Sequence, residues 1–354
     1  MNANNLNTEK DNARALNARG IGKFQQGDIA GALEDLGKAG MLQADFPEPW
    51  NNSGLLRNML GQLTAAIADF DRALAIRPDY PEALTNRARA RMALGDLDGA
   101  QSDFDRALEL AGASPFAASI LHNRGMLRQK LGDVAGALAD FDRALEIDPA
   151  HTATYVNRGS LRKETGDLQG GLADFNKALE QSSPAGLAAI LHGRGGVRVL
   201  LNDFAGAIED YDRALSLEPE QFQLYISRGN ARYHHRDPRG VADFRLAIRL
   251  DPEGAAREFL RILSADVQRA ADAVLDNCTK HLRLNERDAV ALARRGLTLL
   301  LLGRKEEAIP DLNRVCELVP DLRNFLHRLV QLAGHTVSPP KKEDIVAAVF
   351  AQFA

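Results

Sequence analysis

Apolar residues recur along most of this chain at intervals of three and four, in stretches of about a dozen residues broken by short polar turns. The segment LHNRGMLRQKLGDVAGALADFDRALEIDP, beginning at Leu121, is representative. Its second half places Val134, Ala137, Leu138, Phe141, Ala144 and Leu145 on one helical face, the spacing of an amphipathic helix rather than the strict alternation of a strand. Between its halves stands Gly132-Asp133: glycine ends one helix and aspartate caps the next. Pro149 stops the second helix, because proline lacks the amide proton that a continuing helix needs. The pattern therefore predicts two antiparallel helices joined by a tight turn. It returns with a period of 34 residues along the 354-residue chain, the mark of a repeat array rather than of separate compact domains.

Aligned on the Gly-Asp turns, the repeats occupy residues 13–46, 47–80, 81–117, 118–151, 152–187, 188–221, 222–254, 255–288 and 289–322. A polar lead (1–12) precedes them and expected cap helices (323–354) follow. Extra residues in the third and fifth repeats fall in the links ELAGASPF and EQSSPAGL, where a loop absorbs them, and the seventh repeat is one residue short at HHRDPRGVADF. A small residue recurs at position eight (Gly54, Ala88, Gly125, Gly195) and another at position twenty (Ala66, Ala100, Ala137). A large residue stands at position four (Trp50, Leu84, Leu121, Tyr155), an aromatic at twenty-four (Phe70, Phe104, Phe141, Phe175, Tyr211), alanine at twenty-seven, and a terminal proline at Pro78, Pro149, Pro219, Pro252 and Pro320. This arrangement resembles the tetratricopeptide repeat over about residues 13–322. The resemblance implies an all-α, right-handed superhelical solenoid in which first helices line a concave groove, and it makes Trp50 core packing rather than a binding platform. The eighth repeat departs from it, with Ile262 at the small position and no glycine at the turn, although its helical periodicity continues. Ser338 is placed to cap a last helix ending IVAAVFAQFA, expected to cover the final apolar face or to serve self-association.

Composition changes this picture little until charge is considered. Apolar residues are 45% and charged residues 26%, and no run approaches the roughly 20 apolar residues of a membrane-spanning helix. The polar start, MNANNLNTEKDNAR, carries no secretory h-region, so a cytoplasmic location is expected. Cys278 and Cys316 are too few for a disulfide framework or a zinc knuckle and read as small buried hydrophobes. The net charge is −4, yet arginines far outnumber lysines. They recur at position seven (Arg19, Arg87, Arg124, Arg158, Arg194, Arg228, Arg295) and eleven (Arg57, Arg91, Arg128, Arg162, Arg198, Arg232), one helical face where the family resemblance implies sites between helices. Aspartate at position twenty-three (Asp35, Asp69, Asp103, Asp140, Asp174, Asp210, Asp243, Asp311) and a further aspartate at twenty-five (Asp71, Asp105, Asp142, Asp212) supply the carboxylates. An internal ladder of Arg–Asp pairs is therefore expected rather than a phosphate-tracking groove, and no nucleic-acid partner.

Position six, facing the implied groove, reads Asn52, Asn86, Asn123 and Asn157 in four successive repeats and then changes to Gly193, Ser227 and Arg294. A carboxamide offers donors and an acceptor, so such a row can bond an extended main chain whatever its side chains. The row is similar to the asparagine ladder in the repeat domain of O-linked N-acetylglucosaminyl transferases, which implies that these four hold peptide; the transferase's catalytic domain has no counterpart here. The alternative is that each asparagine only solvates the face or bonds the neighbouring helix. His122, His192, Arg89 and Asn230 lie beside the row as candidate selectivity residues. No repeat carries the Lys–Asn pair of the carboxylate clamp found in heat-shock co-chaperones, so that mode is not expected. His234 and His235 are adjacent and cannot chelate as an i, i+4 pair would, and no nucleophile elbow or phosphate loop appears. The expected function is a non-enzymatic scaffold or adaptor that needs no cofactor or metal and binds a protein segment in its groove. The runner-up is a scaffold contacting its partners, or itself, through its ends or convex face.

Overall fold

The structure is a computed structural model that describes residues 3–320 except 185, together with 326, 329 and 330. The expected cap helices fall, but for those last three residues, outside the described region. All seventeen elements among the described residues are α-helices, and the chain separates into two compact bodies, Met1–Thr165 and Gly166–Ala354.

The first body holds α1 (Ala3–Gln25), α2 (Ile29–Leu42), α3 (Glu48–Met59), α4 (Leu63–Ile76), α5 (Pro81–Leu94), α6 (Leu97–Ala111), α7 (Phe116–Lys130), α8 (Val134–Ile147) and α9 (Thr152–Thr165). Within it α1 packs on α2, α3 on α4, α5 on α6 and α7 on α8, and each pair packs on the next. The polar lead is helical from Ala3, since a helix nucleated in the first repeat extends at the cost of one residue per added bond. The recurring turn has one local design. Gly95 adopts φ +96°, where a side chain would be strained, and Asp96 caps α6 by accepting the Gly99 amide at 3.0 Å. A Cβ on Gly99 would collide with that Asp96 carboxylate, so this turn needs both glycines, whereas Asn202 takes the left-handed place (φ +61°) before the helix that begins at Phe204.

Between paired helices the position-twenty-four aromatic fills the space left by the position-eight small residue. Phe70, Phe104 and Phe141 are fully buried. A Cβ on Gly125 would lie 2.6 Å from the Phe141 ring, and one on Gly54 would lie 2.6 Å from Phe70. Trp50 is half-buried among core side chains, as the repeat pattern implied, with the Arg72 guanidinium 4.6 Å over its ring.

The second body holds α10 (Leu168–Gln181), α11 (Leu187–Leu200), α12 (Phe204–Leu217), α13 (Phe222–His234), α14 (Gly240–Leu250), α15 (Pro252–Leu284), α16 (Ala289–Leu301) and α17 (Lys305–Leu318). The same pairing continues through α14, with Tyr211 in the aromatic place against Gly195. The eighth repeat then breaks it: α15 runs 33 residues, interrupted only by the extended backbone of Ala270 (φ −164°, ψ 75°). With no glycine to take a left-handed turn, its two arms join directly. Pro252, expected to end a helix, also starts α15 at its first turn, where proline's missing amide costs nothing. α16 then lies close enough to α13 for Arg294 Nη1 to donate to Asn230 Oδ1 at 2.7 Å, across 64 residues of sequence.

Candidate functional site

The arginine ladder accounts for most of the polar interior. Arg87 presents its fork to Asp103, with Nε–Oδ2 2.9 Å and Nη2–Oδ1 2.6 Å. Arg91, one turn along, adds Nη1–Oδ2 2.7 Å. The same bidentate geometry joins Arg19 to Asp35, Arg124 to Asp140, Arg194 to Asp210, Arg228 to Asp243 and Arg295 to Asp311. In the second repeat Ser53 replaces the position-seven arginine and donates to Asp69 at 2.7 Å, beside Arg57. Each interior position-seven arginine also reaches back to position twenty-five of the preceding repeat: Arg87 to Asp71, Arg124 to Asp105, Arg158 to Asp142 and Arg228 to Asp212, all at 2.6–2.7 Å. Arg194 finds Asn176 there, at 2.8 Å. These aspartates thus tie repeat to repeat, a role their sequence position alone did not disclose. Arg124 is only 13% exposed, whereas Arg19, with no repeat before it, is 60% exposed. With so many guanidiniums held by carboxylates, these arginines are structural.

The asparagines stand one residue earlier on the first helices, about 100° around from the position-seven arginines. Asn52 Nδ2 donates to Asn17 Oδ1 at 3.0 Å, and Asn86 Nδ2 donates to Asn51 Oδ1 at 3.0 Å. Position six thus bonds to position five of the preceding repeat, a pairing that the adjacent Asn51-Asn52 could have suggested. Asn123 donates to the Ser119 carbonyl of its own helix at 2.7 Å. Asn157 is half-buried on α9. A groove of about 570 Å³ on α3, α5 and α7 brings together Asn51, Asn86, Asn123 and Arg89, with Leu55, Tyr80 and Phe116 as apolar wall; Asn52 and Asn157 lie outside its lining. Arg89 is exposed there, while Arg77 caps the Tyr80 ring at 3.9 Å and pairs with Glu48 at 2.6 Å. In the second body position six serves packing: a Cβ on Gly193 would strike the Phe175 ring, and Ser227 meets His192 Nε2 at 3.0 Å.

The flanking candidates divide. Arg89 faces the groove and His192 is half-buried, but His122 and Asn230 are buried and committed internally. His122 Nδ1 lies 2.9 Å from Thr154 Oγ1, which lies 2.7 Å from His151 Nδ1. Both imidazoles meet this one hydroxyl, which has a single proton to donate and two lone pairs to accept with. Burial, reinforced by His151 and Arg89, depresses the His122 pKa from its ordinary 6.5 to about 4. The unfolded chain therefore binds a proton that the folded one refuses, and stability is lost as pH falls from 6.5 through 4. At roughly 1.4 kcal/mol per pH unit the loss is about 3 kcal/mol at pH 4. Replacing His122 by Gln should flatten that slope in denaturant titrations between pH 7 and 4; an unchanged slope would contradict the burial of a neutral ring.

No helix among the described residues is long and apolar enough to cross a membrane. Sequence profiles of the tetratricopeptide repeat match residues 56–95, 79–150, 122–186 and 289–322. No curated protein matches the chain significantly. Among solved structures, a tetratricopeptide repeat protein from Parabacteroides merdae is 21% identical, with TM-score 0.54 over 70% of this chain and 98% of its own. PilF of Pseudomonas aeruginosa is 14% identical, with TM-score 0.55 over 63% of this chain and 97% of its own. PilW, described as a type IV pilus biogenesis factor, is 19% identical, with TM-score 0.53 over 58% of this chain and 94% of its own. These likenesses extend the fold beyond the matched repeats. Helix pairs, turn glycines, buried position-twenty-four aromatics and matching profiles agree, and the chain belongs to the tetratricopeptide repeat family.

Proposed function

We propose that the chain is a non-catalytic protein-binding scaffold that holds an extended peptide across the inner faces of α3, α5, α7 and α9, with Asn52, Asn86, Asn123 and Asn157 bonding its main chain. The groove that gathers Asn51, Asn86, Asn123 and Arg89 carries this reading. The amide pairing is the neighbouring-helix bond of the alternative reading, but it leaves part of each pair available to a ligand. Asn86 spends one donor on Asn51, but the pair retains the Asn86 carbonyl as acceptor and the Asn51 amide as donor, pre-oriented by their mutual bond. Successive first helices lie roughly 10 Å apart, about three residues of extended peptide. Arg89 favours an acidic side chain on the ligand, and Leu55 with Tyr80 favours an apolar one.

The test is selection of peptides from a random displayed library on the intact protein, followed by affinity measurements on a variant with Asn86, Asn123 and Asn157 changed to Ala. At about 0.5–1.5 kcal/mol per hydrogen bond, the selected peptides should bind ten-fold to a thousand-fold more weakly, and N-methylation of the peptide backbone should weaken them similarly. Unaltered affinity in the triple variant, with folding intact by circular dichroism, would rule out the amide row as the contact.

A further inference from the structure

The irregular eighth repeat has a consequence away from the peptide groove. Because α15 lacks a normal turn, the start of α16 comes to stand against the turn between α13 and α14 and leaves a cavity of about 460 Å³, a volume typical of small-ligand sites. Its walls are largely apolar, with Pro238, Val241, Leu284, Val290, Leu318 and Val319. Its floor is His281, buried and stacked on Tyr233 with ring centroids 4.4 Å apart. His281 Nδ1 lies 3.5 Å from Asp288 Oδ2, and its Nε2 has no hydrogen-bond partner among the described residues.

Two carboxylates and two guanidiniums line this cavity, and the carboxylates are already engaged within the protein. Asp288 caps α16 by accepting the Val290 and Ala291 amides, at 3.1 and 3.0 Å. Asp237 is held by Arg239 at 2.7 Å and lies 3.6 Å from Arg232. Arg236 and Arg287, also in the lining, are exposed and have no carboxylate partner among the described residues. Two guanidiniums without a carboxylate partner among the described residues thus line one largely apolar cavity. Arg236 is held at φ +59° in the shortened turn; burial lowers the His281 pKa against the pull of Asp288, and the Arg236 charge adds to that lowering.

We propose that this cavity binds a carboxylate carried on an apolar body, the body lying against Val290, Leu318 and Val319, and the carboxylate between Arg236, Arg287 and His281. The site is independent of the peptide groove and involves none of its asparagines. The carboxylate could be a free acid or a peptide's C-terminus, which share this chemistry.

The test titrates the full chain, by calorimetry at neutral pH, with octanoate, octan-1-ol, a short apolar peptide with a free C-terminus and the same peptide amidated. At least one of the two acids should bind at one site per chain, ten-fold or more tighter than its neutral analogue. An Arg236→Gln/Arg287→Gln variant should lose that preference while keeping its fold, both side chains being exposed. Tighter binding of octanoate assigns a free acid; tighter binding of the peptide assigns a C-terminus. Bound carboxylate should also raise the titration midpoint of the His281 ring, followed by NMR. Equal affinity for acid and neutral analogue, binding of neither acid, or full affinity in the double variant would overturn the proposal.

Discussion

Replacing Asp103 by Ala is expected to cost about 3–5 kcal/mol of stability, the range for removing one partner of a buried ion pair. Asp103 is 4% exposed and accepts three guanidinium bonds, two from Arg87 and one from Arg91. Its removal leaves Arg91 with only longer contacts to Gly99 O and Asp96, and Arg87 with Asp71, which is half exposed. The cost comes from the stranded charges, not from the pair's net worth. A triple replacement of Asp103, Arg87 and Arg91 by Leu should therefore recover much of it. Asp79→Ala is the control, since its pairing with Arg106 leaves both side chains more than half exposed and such pairs contribute about 0–1 kcal/mol. Denaturant unfolding of the three variants beside the unaltered protein measures this. A loss below about 1 kcal/mol for Asp103→Ala would mean the ladder behaves as surface charge.

Phe104→Ala is expected to cost a further-ranging 3–5 kcal/mol by removing a fully buried ring and leaving a cavity. Phe104 shares its cluster with Leu84 and Ala88 of its own repeat and with Ile120 and Leu127 of the next. Repeats touch mainly their neighbours, so damage should be local. Amide hydrogen exchange should rise in α5, α6 and α7 and change little in α1 and α2. Uniform loss of protection through the first body would show that its repeats unfold as one unit.

The parts of this molecule that were readable in advance are those whose partners lie at a fixed short spacing. Asp103 meets Arg87 16 residues away, and the same interval recurs for Asp35, Asp140, Asp210 and Asp311. Helix period, turn glycine, capping aspartate and position-twenty-four aromatic are likewise set within one repeat. Of the position-six row, Asn86 and Asn123 line a groove; that Asn86 would first bond Asn51 depends on the distance between adjacent first helices, which helical periodicity does not encode.

The amino-acid sequence by itself determined the helix pairs, their turns, the close-packed aromatic core and the carboxylate that answers each interior arginine, because all of these arise from contacts inside one 34-residue period. Tertiary structure alone decided which aspartates bridge repeats, that His122 would be buried beside Thr154, and that α15 would run through the eighth repeat and bring Arg294 to Asn230. The physical reason is range: those contacts depend on the angle and separation between whole helices, which follow from packing summed over many side chains and are written in no single position.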